Sequence, residues 1–144
     1  MKYQKITDDF TTHTLVEPDY QDDGPRCTEL CTIGADTYVH VPDDLVLPDQ
    51  PDVLDMEAVS LTPELREEIK AASPHVRLSY RRLQERIRSR YSLEDEQYLT
   101  RISVGALSGA YKMQEDEPGL IAAYQAWVEE CRKIAKQERA GWGL

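Results

Sequence analysis

The chain has 144 residues and carries 27 Asp and Glu against 17 Lys and Arg, a net charge of −10. Its length suits one domain, or a small domain with an extended arm. The acidic balance argues against a general nucleic-acid binder, three cysteines do not make a disulfide scaffold, and no run of 18 apolar residues offers a membrane span. The charge is also segregated: residues 1–62 hold 14 acids against 3 bases, whereas residues 63–144 hold 13 against 14. Behind Met1 to Lys5 there is no apolar stretch, so no secretory signal is expected and a reducing cytoplasm is the expected compartment.

In chain order, Thr11 to Val16 fits one short strand, and Asp22-Asp23-Gly24-Pro25 is a turn signal. Residues 26–41 read as a hairpin. Cys27, Glu29 and Cys31 alternate with Thr28, Leu30 and Thr32, Ile33 to Thr37 turns, and Tyr38 to Val41 forms the second strand. Two strands alone are marginal in water, so a third strand or a helix must cover them. Pro42, Pro48 and Pro51, among Asp43, Asp44, Asp49, Asp52 and Asp55, predict an extended arm of about 20 residues.

The second half is punctuated by helix starts. Thr62-Pro63-Glu64 is an N-cap, a first-turn proline and a first-turn acid, and that helix should stop near Ala72. Ser73-Pro74 starts a second helix, with an apolar stripe of Val76, Tyr80, Leu83, Ile87 and Tyr91. Ser92 and Asp95 form a shortened capping box for a third. Its stripe is Leu99, Ile102, Ala106, Leu107 and Ala110, and Gly105 and Gly109 within it suggest a close helix–helix contact. Asp116-Glu117-Pro118 starts a fourth helix. On it Leu120, Tyr124, Trp127, Cys131 and Ile134 make a heptad-like seam, to pack on the third helix or on a second copy of the chain. The expected fold is α+β: a small β-hairpin and acidic extended segment over residues 1–61, then a helical domain of three to four helices over 62–144.

Candidate chemistry is sparse. Cys27 and Cys31 with His13 and His40 are the only metal-like set, and the second ligand pair of a zinc site is missing. On one strand the two cysteines would lie about 13 Å apart, too far for a shared ion or a disulfide. Paired acids such as Asp8-Asp9 and Asp43-Asp44 sit in polar coil, without the cleft that separates two carboxylate pKa values. No phosphate loop or serine elbow appears, so neither catalysis nor a cofactor is expected. The second helix is basic: Arg77, Arg81, Arg82, Arg86, Arg88 and Arg90 meet one acid, Glu85. A phosphate track would attract such a face, but the chain is acidic and no aromatic platform is interleaved. An ion-pair surface, internal or with a partner, fits better. The candidate partner-binding residues are Tyr38, Val41, Leu45 and Leu47 in the first part and Arg77, Arg81, Arg88 and Trp127 in the second.

From residue 38 onward the order of features is familiar: Tyr38-Val39-His40-Val41-Pro42-Asp43, Leu47-Pro48-Asp49-Gln50-Pro51, Leu61-Thr62-Pro63-Glu64-Leu65, Ile69 to Val76, Ile87 to Glu96, and a terminal helix containing Trp. This resembles the tail-fibre assembly chaperones and small tail-associated proteins of tailed phages, over roughly residues 38–144. The resemblance implies no catalytic residues. It implies a protein client, a fibre's C-terminal tip held until it folds and trimerises, or a place in the virion tail. The competing expectations are an acidic inhibitor that imitates nucleic acid for a host enzyme, and a virion component that oligomerises through its last helix.

Overall fold

The computed structural model describes residues 1–20 and 24–144. The turn expected at Asp22-Asp23-Gly24-Pro25 therefore lies partly outside the described residues. The fold is α+β, with five short strands followed by four helices among the described residues. It divides into two compact units, Met1–Arg77 with Gly141–Leu144, and Leu78–Ala140. Among the described residues no helix is long and apolar enough to cross a membrane.

The first unit is built on a three-stranded antiparallel sheet. The expected hairpin forms as β4 (Thr28–Ile33) and β5 (Asp36–His40), turning at Gly34-Ala35. Its third strand is β1 (Lys2–Gln4), which the sequence reading did not find, in the order β1-β5-β4. Lys2 also exchanges backbone hydrogen bonds with Glu57, so the proline-rich segment flanks the outer edge of β1. A separate hairpin, β2 (Ile6–Asp8) and β3 (Thr11–His13), turns at Asp9-Phe10, so the strand expected from Thr11 to Val16 ends at His13.

Successive strand residues point to opposite faces, and both faces of the sheet are covered. On one, Tyr3, Cys27, Val39 and Leu54 are buried, with Leu15, Val41, Leu45, Leu47 and Met56 packed against them. On the other, Leu30, Cys31 and Ile69 are buried beneath Tyr38, Leu65, Trp142 and Leu144. The strict alternation expected for Cys27 to Thr32 fails at a register shift between Glu29 and Cys31. A bulge places two residues opposite one and resets the pleat, so Leu30 and Cys31 are both buried in the second cluster while Cys27 belongs to the first. The helix that covers the second face is α1 (Pro63–Ala72), capped by Thr62 and carrying Ile69 at 2% exposure.

Two findings follow for the expected domain plan. The proline-rich segment is not a free arm, since Leu45, Leu47, Leu54 and Met56 anchor it to the sheet. The Gln50 amide adds a clamp, accepting from Val16 N–H at 2.9 Å and donating to Val16 O at 2.9 Å. And because α1 packs on β4, the compact unit runs on to Arg77, past the boundary placed at residues 61/62.

The second unit holds the rest of α2 (Pro74–Arg88), α3 (Leu93–Leu107) and α4 (Glu117–Ala140). Ser92 accepts from Asp95 N–H, and the Asp95 carboxylate accepts from Ser92 N–H at 2.7 Å, so the capping box is formed. Helix α3 ends in a Schellman motif. Ala110 N–H reaches Gly105 O at 2.9 Å, Gly109 N–H reaches Ala106 O at 3.1 Å, and Gly109 takes φ 73°. Gly109 is thus the helix terminator rather than part of a helix contact. Gly105 is held bare by the returning chain: a Cβ there would stand 2.8 Å from the Tyr111 Cβ.

The inward stripes also differ from the expected ones. On α2, Tyr80 is 51% exposed while Ser79 is fully buried. Ser79 Oγ donates to Ala135 O at 3.4 Å, and Cys131 and Ala135 are fully buried on α4. Small residues let two backbones approach where a tyrosine would hold them apart. On α4 four of the five expected seam residues, Tyr124, Trp127, Cys131 and Ile134, are buried or half-buried, joined by Glu117, Ile121, Val128 and Ala135, while Leu120 is 47% exposed. The seam predicted for α4 is largely internal to the unit.

Candidate partner-binding surfaces

In the first unit, four of the predicted binding residues are engaged at home. Tyr38 packs with Leu30, Cys31 and Ile69, and Val41, Leu45 and Leu47 pack against Tyr3, Val39 and Leu54. What the segment offers outward is mostly carboxylate: Asp43, Asp44, Asp49, Asp52 and Asp55 are all exposed, with Val46 and Val53 exposed among them. Three of the unit's six Lys and Arg are paired internally. Lys2 pairs with Asp36 at 3.1 Å and Glu57 at 3.2 Å, Lys5 with Glu29 at 2.8 Å and Lys70 with Glu67 at 2.9 Å. The hydrogen bond from Gln4, and then that from Lys2, lowers the Asp36 pKa. The chain's single Phe, Phe10, stands fully exposed at the tip of the β2–β3 hairpin. No periodicity marks it, because a turn residue belongs to neither face of its strands.

A small cavity of about 170 Å³ in this unit is lined by Met1, His40, Ile69, Trp142 and Leu144 among others. Burial, and then the Met1 ammonium, lower the His40 pKa, so its imidazole is neutral at pH 7. The cavity holds no acidic side chain, thiol or serine to pair with that ring. Cys27 and Cys31, split between two clusters, cannot share a ligand, and no group of three metal-ligating side chains occurs among the described residues.

In the second unit the arginines divide by face. Arg86 lies 3.9 Å from Glu138, and Arg90 covers the Trp127 ring at 5.2 Å. Trp127 is half-buried beneath that guanidinium, so it is not a free anchor. Arg139 of α4 stacks on Tyr80 at 4.9 Å. Arg81 and Arg88, with Arg77 of the first unit on the same helix, are different. Steps of four and seven residues put them on one side of α2, all are exposed, and none makes an ion pair among the described residues. The Arg77 guanidinium donates to the Ala72 carbonyl, at 3.4 Å.

A polar knot fixes the turn between α3 and α4. Glu117 is 2% exposed and accepts from Tyr98 Oη at 2.7 Å, Tyr111 Oη at 2.8 Å and Gln114 N–H at 2.8 Å. The hydrogen bond from Tyr98, then that from Gln114, lower the Glu117 pKa, and the same bond pushes Tyr98 up to about 12. Three donors on one carboxylate leave it an acceptor locked in place, not a general base. Beyond the knot, Leu93, Val104 and Leu107 are exposed at 52%, 59% and 89%.

Compared with protein-family models, with curated proteins and with solved structures, the chain finds no match.

Proposed function

We propose that this chain is a non-enzymatic protein-binding module, a phage tail-fibre assembly chaperone or tail accessory protein acting in the host cytoplasm. The observation that carries the binding reading is the Arg77, Arg81 and Arg88 row. Three exposed arginines on one side of α2 stand without carboxylate partners among the described residues, in a chain with ten more acids than bases. Arginine presents a planar fork to carboxylates and is enriched at protein interfaces, so the row suits an acidic segment of a client. The client class, a fibre's C-terminal region, rests on the resemblance over residues 38–144. Affinity capture of the full chain from cells expressing neighbouring phage genes, with and without nuclease, tests it. The expected result is one fibre or tail protein, insensitive to nuclease and lost when Arg77, Arg81 and Arg88 are all changed to Glu. Capture unaffected by that triple change removes the arginine row from the interface.

A second reading draws on the five exposed aspartates between residues 43 and 55. They sit on a segment that Leu45, Leu47 and Leu54 pin to the sheet, and this reading requires them to line one face as phosphates do for a host nucleic-acid enzyme. Recovery of a nuclease that DNA displaces would favour this reading over the fibre client.

A further inference from the structure

Helix α3 carries large apolar residues on two sides. Leu99 and Ile102 face inward at 5% and 4% exposure. On the opposite side Leu93, Gln97, Thr100, Val104 and Leu107 recur at steps of four and three, and all five are exposed. That is the spacing of a coiled-coil seam, on a helix whose other face is already satisfied. Beside the seam runs a shallow depression of about 440 Å³, lined by Leu93, Glu96, Gln97, Thr100, Arg101 and Tyr124.

The charges flanking the seam say what fits it. Glu94 and Arg101 lie seven residues apart along one flank, both exposed, and neither makes an ion pair among the described residues. On the other flank Glu96 is half-buried and accepts a hydrogen bond from Tyr124 Oη at 3.2 Å. We infer that the outward face of α3 is a self-association surface on which a second copy packs its own α3 antiparallel. In that register Leu93 meets the second copy's Val104, Gln97 meets its Thr100, and Glu94 meets its Arg101, each pairing occurring twice by the two-fold symmetry. A parallel pair would instead draw Arg101 to the second copy's Glu96, which Tyr124 already holds. The bundle holds α3 folded beforehand, so docking need not pay for helix formation. The face is about 22 Å long, shorter than a standard interface requires, so the dimer is weak, with a dissociation constant on the order of 10–100 µM.

Sedimentation velocity on the full chain over a concentration series from about 5 to 500 µM tests this, bracketing the affinity above. The mass should rise from 16.5 kDa toward twice that value. Val104→Glu, at a site already 59% exposed, should stay monomeric with unchanged circular dichroism. Glu94→Arg and Arg101→Glu should each weaken the dimer about tenfold, and the double exchange should restore it. A parent chain monomeric throughout, a Val104→Glu dimer of parent affinity, or a double exchange weaker than either single change would each overturn the proposal. So would a monomeric parent whose client capture is lost on Val104→Glu, which would assign this face to the client. None of these outcomes bears on the arginine row, so the two proposals fail separately.

Discussion

Glu117 shows how one side chain can draw its partners from a neighbouring turn and from the preceding helix at once. As a first-turn acid of α4 it was legible as a helix-start signal, but its three donors come from Tyr98, Tyr111 and Gln114, and no local pattern points to them. Its pKa is lower folded than its ordinary value of 4.5. The stability it contributes is therefore fully present above 4.5 and is lost as pH falls through the folded value. Glu117→Gln should destabilise the second unit at pH 7, and urea titrations at pH 7 and pH 4 should show the variant losing less stability on acidification than the parent. Equal losses would mean other carboxylates set the acid limb. Gly105 makes a second residue-scale case. Gly105→Ala places a methyl 2.8 Å from Tyr111 Cβ, and thermal unfolding should report a loss of about 1–3 kcal/mol from overpacking, although alanine is the better helix former.

Among the elements, helix starts are legible in the sequence because capping is local. Thr62 and Ser92 each accept a backbone N–H three residues on, within one turn of chain. Ser92→Ala should cost about 1 kcal/mol, seen as a lower denaturant midpoint with an unchanged slope; a changed slope would mean that the second unit no longer unfolds as one. The helix ends and inward faces were less legible. Gly109 read as helix interior because its φ of 73° is imposed by a Schellman closure running from Gly105 to Ala110. The α2 stripe was assigned to Tyr80 because the ring is apolar, whereas the packing selected Ser79 for its small size. The strands were harder still. β1 is three residues long, and its pairing partner β5 begins 32 residues later, so its identity as a strand lies in the sheet and not in its own residues.

For the whole molecule, the charge segregation visible along the chain coincides with the compact units. Residues 1–77 with 141–144 hold 17 acids against 6 bases, and residues 78–140 hold 10 against 11. The boundary between helical and β-rich sequence is not a boundary between units, because Ile69 of α1 belongs to the core of the sheet. A fragment of residues 62–144 should therefore keep its helical circular dichroism but expose Ile69, Trp142 and Leu144, bind a hydrophobic dye and aggregate. A monodisperse fragment that ignores the dye would mean that α1 needs no sheet to cover it.

The sequence by itself determined the α+β order, the β4–β5 hairpin, the caps of α1 and α3 and the acidic character of the first part. Each rests on residues that act within a few positions of one another, through proline geometry, capping or β-branched runs. Only the tertiary structure decided that the proline-rich segment is a fixed cover rather than an arm, that Cys27 and Cys31 serve different cores, and that Leu93, Val104 and Leu107 of α3 stay uncovered. Those features depend on which surfaces meet across long separations. An apolar stripe announces that it needs a partner, but the partner's identity is settled only when the chain has folded around it.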